Sequence, residues 1–199
     1  MEEIFTEELI LSIFQKTGAL LKGHFKLSSG LHSDTYLQCA KVIQYPQYNL
    51  ILSSLIASKF RDKNIDVVIG PAIGGIIIAY EVAKQLGARA LFAERDAEKK
   101  MTLRRGFELK ENERVLIVED VITTGASVRE IIKIVHDLKA QLIGIAAFVN
   151  RSDKKLSLAE NQYFILNINA PKYKEDECPL CKNNKPYTTP GSKYIIKDI

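Results

Sequence analysis

A doubly wound α/β fold, a parallel sheet with helices on both faces, is what three features of this sequence predict. Short apolar runs without polar alternation recur at residues 67–69, 88–93, 114–118, 142–149 and 163–168. Such runs are what strands buried on both faces require. Helical stretches of ten or more residues follow two of them, at 76–86 and 127–138, and alternation of this kind builds parallel sheets through crossover helices. A length of 199 residues with 46% apolar content suits one domain with trimmings. The chain therefore reads as a single domain over 1–199, with a core of about 41–170 and a smaller annex made of 1–40 and 171–199.

Each element has its own signal. Residues 6–16 form an amphipathic helix: Thr6 can cap it, Glu7 and Glu8 sit in the dipole-favoured first turn, and Gly18 follows its end. Phe25 to Ser33 is polar and turn-rich, and residues 35–39 have strand character. Pro46 fits the first turn of a helix reaching Phe60, with Leu50, Leu52, Leu55, Ile56 and Phe60 available for its buried face. From residue 66 onward strand, loop and helix repeat. In such sheets ligands bind beyond the carboxyl ends of the strands, so function belongs in the loops after Ile69, Ala93, Val118 and Val149.

Composition excludes several classes. Lys and Arg number 28 against 24 Asp and Glu, a net charge of 28 − 24 = +4. The excess is scattered, whereas nucleic-acid binders concentrate basic residues on one face. The first residues, Met1-Glu2-Glu3-Ile4-Phe5, are acidic and lack the basic and apolar regions of a signal peptide. No apolar run approaches the ~18 residues that span a bilayer. Three cysteines cannot form a disulfide framework in a chain of this length. A cytoplasmic protein with no nucleic-acid or membrane partner is expected.

The sharpest chemistry lies in residues 115–127. An apolar strand ends in Glu119 and Asp120, then Val121 and Ile122 lead into Thr123, Thr124, Gly125, Ala126 and Ser127, which open a helix. Adjacent carboxylates at a strand end suit the two hydroxyls of a ribose or an Mg²⁺ shell. Hydroxyls and backbone N–H groups at a helix N-terminus make an anion site, and Gly125 lets the backbone approach a phosphate. Together they describe a receptor for a phosphorylated sugar. Neither a G-x-x-x-x-G-K-[ST] loop nor a G-x-G-x-x-G loop is present. A second stretch, 94–106, carries four cations and no acid between Lys99 and Arg105. By composition alone it is a solvated loop, but it lies next to the sugar-phosphate segment in the expected sheet.

Residues 115–127 resemble the phosphoribosyl-pyrophosphate signature of the type I phosphoribosyltransferases. From about residue 20 to 151 the chain is most similar to the orotate-using branch of that family. Phe25-Lys26-Leu27-Ser28-Ser29-Gly30, with 33–38, is similar to the branch's base-recognition segment. Gly70-Pro71-Ala72-Ile73-Gly74-Gly75 is similar to its pyrophosphate loop, and Phe148-Val149-Asn150-Arg151 to the strand end whose arginine meets the base. The resemblance implies a phosphoribosyltransferase fold and Mg²⁺-dependent transfer of phosphoribosyl to orotate, in pyrimidine synthesis. It implies that residues 119–127 with Ile73 and Gly74 bind phosphoribosyl pyrophosphate, and that Thr123, Arg151, Tyr36 and Leu37 bind orotate. Mg²⁺ would be held mainly through the substrate, with no direct protein ligand. The stretch 94–106 would be a mobile loop closing over the neighbouring subunit's site in a homodimer, with Lys99, Lys100, Arg104 and Arg105 as its catalytic cations. Two departures stand out: Ser28 and Gly74 replace lysines found in some relatives, and the loop lacks the family's usual Arg-Lys-x-x-Lys-x-His-Gly spacing. A purine-using phosphoribosyltransferase is the alternative, because the signature reads the sugar and not the base. A regulator that senses phosphoribosyl pyrophosphate and binds nucleic acid would need a helix-turn-helix domain, for which the chain has no room ahead of its core.

Cys178-Pro179-Leu180-Cys181 is half of a four-ligand zinc pattern, with no second Cys or His pair downstream. His24, His32 and His136 are widely dispersed in sequence, so they are not nominated as ligands. The favoured reading is a reduced structural turn, with a site shared across a dimer axis as the alternative. His136 is expected at the surface.

Overall fold

The computed structural model describes residues 6–27, 29–152 and 156–190. Its elements run α1 (Glu7–Lys16), β1 (Leu20–Lys26), β2 (His32–Leu37), α2 (Ala40–Ile43), α3 (Pro46–Phe60), β3 (Val67–Pro71), α4 (Gly74–Leu86), β4 (Arg89–Arg95), β5 (Met101–Leu103), β6 (Arg114–Ile122), α5 (Ala126–Asp137), β7 (Gln141–Asn150), β8 (Gln162–Asn167) and α6 (Pro179–Lys182). The expectations that touch Met1 to Phe5, Ser28 and the end of the annex beyond Pro190 lie outside the described residues.

Six strands form one sheet in the order β5-β4-β3-β6-β7-β8. All neighbours are parallel except β4 and β5. The apolar runs lack alternation because both faces are covered. Val68, Leu116, Val118, Ala146 and Phe148 face a core built with α1, α3 and α4, including Phe14, Leu52, Ile56, Ile78 and Val82. The intervening residues Val67, Ile69, Val115, Ile117 and Ile145 face Val128, Ile131 and Val135 of α5. Successive strand residues point to opposite faces, so each run serves two cores. The fold is the α/β architecture that the sequence predicts.

After β3 the chain adds β4 on one side, then returns to place β6 on the other. This is a topological switch point, and it opens a crevice beyond the carboxyl ends of β3 and β6. The helices α4 and α5 both start at that end, directing two helix N-termini toward the crevice.

Outside the six-stranded sheet, β1 and β2 form a separate hairpin, while α1 packs into the main core. β1 and β2 pair antiparallel with a bulge between Lys22 and Phe25, where Gly23 and His24 oppose Asp34. The C-terminal segment flanks both of its edges. Lys26 N–H donates to Thr188 O at 2.9 Å and Thr188 N–H to His24 O at 2.9 Å. On the other edge His32 N–H donates to Tyr173 O at 2.8 Å and Tyr173 N–H to His32 O at 2.9 Å.

Several details differ from the sequence expectation. β1 takes up residues 20–24, to which the sequence assigns no element, and the first two residues of the turn-rich stretch, while β2 starts at His32 and stops at Leu37, short of Cys39. Leu50 is exposed, while Leu52, Leu55, Ile56 and Phe60 are buried, because Leu50 falls off the stripe that α3 turns toward the sheet. The basic stretch contains β5, which pairs Met101 with Arg95 and Leu103 with Ala93. β6 continues to Ile122, so Glu119 and Asp120 stand on the strand itself. His136 is exposed, as expected.

Candidate active site

The crevice gathers three segments. The first is the end of β6 with its loop: Glu119, Val121 and Ile122, together with residues 123–128, line one hollow. Gly125 has φ +74°, a left-handed conformation that ends the loop and caps α5. Thr124 Oγ1 accepts the Ala126 N–H at 3.3 Å, and Arg129 donates a guanidinium N–H to the Thr124 carbonyl at 2.6 Å. Arg129, one turn into α5, thus braces the loop and brings a positive charge beside it. No motif in the sequence points to Arg129. Only the helical spacing from Gly125 could have suggested it. Thr123, Thr124 and Ala126 are exposed and Ser127 is half-buried, whereas the Ile122 side chain is buried in the α5 core. Ile122 can therefore meet a ligand through its backbone only.

Glu119 is 8% exposed, and its Oε1 accepts the Asp120 N–H at 3.1 Å. Burial, then the adjacent Asp120 carboxyl and a hydrogen bond to it, push Glu119 up to about 9. It therefore holds its proton at neutral pH, and the two carboxyls are not a pair of equal anions. Asp120 Oδ1 accepts the Val121 N–H at 2.7 Å. Its other oxygen faces the second segment, since a Cβ placed on Gly74 would lie 2.5 Å from Asp120 Oδ2.

That second segment is the turn from β3 into α4. The Ala72–Ile73 peptide is cis, Ala72 N–H donates to Ala93 O at 2.7 Å, and Ile73 is 83% exposed. Gly74 begins α4. The glycine at 74 therefore has a local reason: the Asp120 carboxyl occupies the space a side chain would need.

The third segment is the end of β7. Arg151 N–H donates to Ile122 O at 2.8 Å, which sets Arg151 beside Thr123. Cys39, just past β2, has its thiol 3.7 Å from the Asp120 carbonyl. Burial pushes that thiol well up. Asp120 and Glu119 push it further, and Arg151 opposes them, so all four residues share one neighbourhood. Tyr36 packs tilted against Phe25, at 5.7 Å between ring centroids. Leu37 is buried in the core, which leaves its backbone as the part that can face the crevice.

The basic stretch does not lie open. Asp96 Oδ1 accepts the Glu98 and Lys100 N–H groups at 3.0 and 2.9 Å, closing the β4–β5 turn. Arg95 forks onto Glu130 of α5 at 3.1 and 2.9 Å and holds that carboxyl below its usual range. Arg105 pairs with Glu94 at 3.1 Å and lies over the Phe92 ring, while Arg104 is 3.9 Å from Glu94. Lys99 and Lys100 are exposed at the hairpin tip, at the same end of the sheet as the other two loops. The structure thus separates the expected cations into two tip lysines and two arginines already paired.

Two of the histidines and the cysteine pair, read separately in the sequence, come together at the β1–β2 hairpin. His24, His32, Cys178 and Cys181 place one donor atom each within 4.8 Å of one another. The second pair is upstream, 146 or more residues before Cys178, and arrives through the hairpin.

Comparison with known proteins points to one family. The family model described as phosphoribosyl transferase domain matches residues 43–180. The orotate phosphoribosyltransferase of Thermoanaerobacter sp. (strain X514) is 56% identical over 187 residues, covering 94% of this chain and 98% of that one. Among solved structures, the orotate phosphoribosyltransferase of Mycobacterium tuberculosis H37Rv in complex with Fe(III) dicitrate superposes with a TM-score of 0.64 at 21% identity, covering 81% of this chain and 95% of that one. The UMP synthase of Leishmania donovani superposes with a TM-score of 0.65 at 20% identity over 80% of this chain, which spans 36% of that longer protein.

Proposed function

We propose that this chain, which belongs to the phosphoribosyl transferase family and within it to the orotate phosphoribosyltransferases, transfers phosphoribosyl from 5-phosphoribosyl 1-pyrophosphate to orotate. The products are orotidine 5′-monophosphate and pyrophosphate, a step of pyrimidine nucleotide synthesis. The observation that carries the reading is the hollow of Glu119 and residues 121–128 at the switch point, with Gly74 at the start of α4 and Arg151 just past β7.

Breaking the bond at the anomeric carbon builds positive charge on the sugar and negative charge on the departing pyrophosphate, so catalysis consists of positioning and charge stabilisation. The loop 123–127 receives the 5′-phosphate with its hydroxyls and the N-terminal amides of α5. Glu119 and Asp120 face the ribose hydroxyls. Protonated Glu119 donates to one hydroxyl oxygen and Asp120 accepts from the other. Ile73, Gly74 and the start of α4 receive the pyrophosphate. The Arg151 guanidinium meets the orotate carboxylate in a two-pronged contact, with Thr123, Tyr36 and the Leu37 backbone framing the ring. Lys99 and Lys100 close over the site and exclude water, and Arg104 and Arg105 join them by exchanging Glu94 for the substrate.

Mg²⁺ fits this oxygen-rich site as a substrate-held ion. Glu119 is buried and Asp120 Oδ1 already accepts the Val121 N–H, which favours holding the ion through the substrate. When bound with the diphosphate, Mg²⁺ neutralises the leaving group's charge. We further propose a cytoplasmic homodimer in which each hairpin serves the neighbouring site. Its three free cysteines suit a reducing compartment. The test is an ultraviolet assay of base consumption with phosphoribosyl pyrophosphate and Mg²⁺. Orotate is consumed, while uracil, adenine and hypoxanthine are not. Turnover of a purine in place of orotate would overturn the base assignment.

A further inference from the structure

We propose that His24, His32, Cys178 and Cys181 bind one zinc ion, a structural centre that fastens the C-terminal segment to the β1–β2 hairpin. The four donors converge on one point. His24 Nε2 and His32 Nδ1 are 2.8 Å apart, Cys181 Sγ lies 3.2 Å from His32 Nδ1 and 3.6 Å from His24 Nε2, and Cys178 Sγ lies 3.6 Å from His24 Nε2. Around a tetrahedral zinc with ordinary bond lengths, neighbouring sulfur and nitrogen ligands stand about 3.5 Å apart. Convergence on one point also separates this site from a two-iron cluster, in which the cysteine pair and the histidine pair would ligate different irons.

The side chains are already held for ligation. His24 Nδ1 is 2.7 Å from the Lys185 carbonyl. A carbonyl can only accept, so Nδ1 carries the proton and Nε2 turns its lone pair toward the other three residues, the outer contact typical of metal-bound histidines. His24, His32 and Cys178 are buried and Cys181 half-buried, and the Tyr187 ring packs edge-on against both imidazoles, with centroids at 5.7 and 5.0 Å. Two thiolates and two neutral imidazoles around Zn²⁺ sum to zero charge, which suits burial. Binding displaces two thiol protons to solvent. Soft sulfur with imidazole in a four-coordinate set selects zinc, and four protein ligands leave no open position for chemistry. The bulge at Gly23 and His24 gives the site its geometry by turning His24 inward beside His32.

The test uses the full-length chain and does not depend on transferase activity. Elemental analysis after dialysis should give about one zinc per chain. Replacement by Co²⁺ should give thiolate-to-cobalt charge transfer in the near ultraviolet and the strong visible bands of a tetrahedral ion. Cys178→Ser and Cys181→Ser should each abolish both signals. Should either variant fail to fold, the wild-type cobalt spectrum and chelation decide: stripping one equivalent of zinc should lower Tm by more than about 5 °C. Less than about 0.2 zinc per chain with no cobalt–thiolate band, a Cys178–Cys181 disulfide in the purified protein by mass, or full zinc retention in both serine variants would each overturn the proposal.

Discussion

The folded protein holds the Glu119 proton up to about 9, far above the range of an unfolded glutamate. Between those two values the native state binds one more proton than the unfolded state, so this carboxyl makes stability fall as pH rises. The window runs from about 4.5 to about 9. Within it the slope from one such group is about 1.4 kcal/mol per pH unit. Glu119→Gln removes it. Chemical denaturation of the ligand-free protein from pH 5 to pH 8 should therefore show the variant gaining on the wild type at each step, and parallel curves would contradict a protonated Glu119. Arg151 is tested by substrate. Arg151→Ala should raise KM for orotate by roughly 10-fold or more, as expected for losing a charged hydrogen-bond partner, and leave KM for phosphoribosyl pyrophosphate within a small factor. Equal rises would make Arg151 a structural residue.

Two glycines at opposite ends of the β3–α4 turn carry different burdens. A Cβ on Gly70 would overlap the Gly75 carbonyl oxygen, and neither backbone can yield, because β3 is the buried middle of the sheet. Gly70→Ala should cost about 3 kcal/mol or more of stability. The three atoms nearest a Cβ on Gly74 all belong to the Asp120 carboxyl, which can rotate away, and alanine favours the first turn of α4. Gly74→Ala should leave Tm near the wild-type value and lower kcat/KM for phosphoribosyl pyrophosphate roughly 10- to 100-fold by misplacing Asp120. Thermal melts and steady-state kinetics on the two variants should show this opposite split. Loss of activity in proportion to loss of fold in both would remove the special role of Gly74.

For the whole molecule, the proposed homodimer with shared sites makes a quantitative prediction. One parent carries Glu119→Gln with Asp120→Asn. The other carries Lys99→Ala with Lys100→Ala, a choice that spares Arg104 and Arg105 because their pairing with Glu94 supports the hairpin. Each homodimer alone should be nearly inactive. After subunit exchange at equal amounts, about half of the dimers are mixed, and each mixed dimer has one intact site, so about a quarter of wild-type activity returns. If the hairpin serves its own subunit, each site in the mixed dimer keeps a defect and activity stays at the parental level, with exchange confirmed by mass.

The α/β class, α1 with its Thr6 cap and α3 from Pro46 to Phe60 were legible in the sequence because their causes are local: uninterrupted apolar runs, a capping hydroxyl, a proline at the first turn. That Glu119 and residues 121–127 line one hollow was legible for the same reason, since the strand end and its loop are contiguous. Other features depend on what lies across space. β5, at three residues, is too short to declare itself, and forms because β4 offers an edge. Leu50 looked like core until α3 was oriented. The protonation of Glu119 follows from burial beside Asp120, and the glycine at 74 from the same carboxyl approaching across the switch point. His24, His32, Cys178 and Cys181 show the limit most plainly. Residue types and spacings along the chain determine what each segment can do, but a hairpin bulge and the path of the C-terminal segment decide that four scattered donors share one point. That decision rests on long-range backbone pairing, which no local pattern encodes.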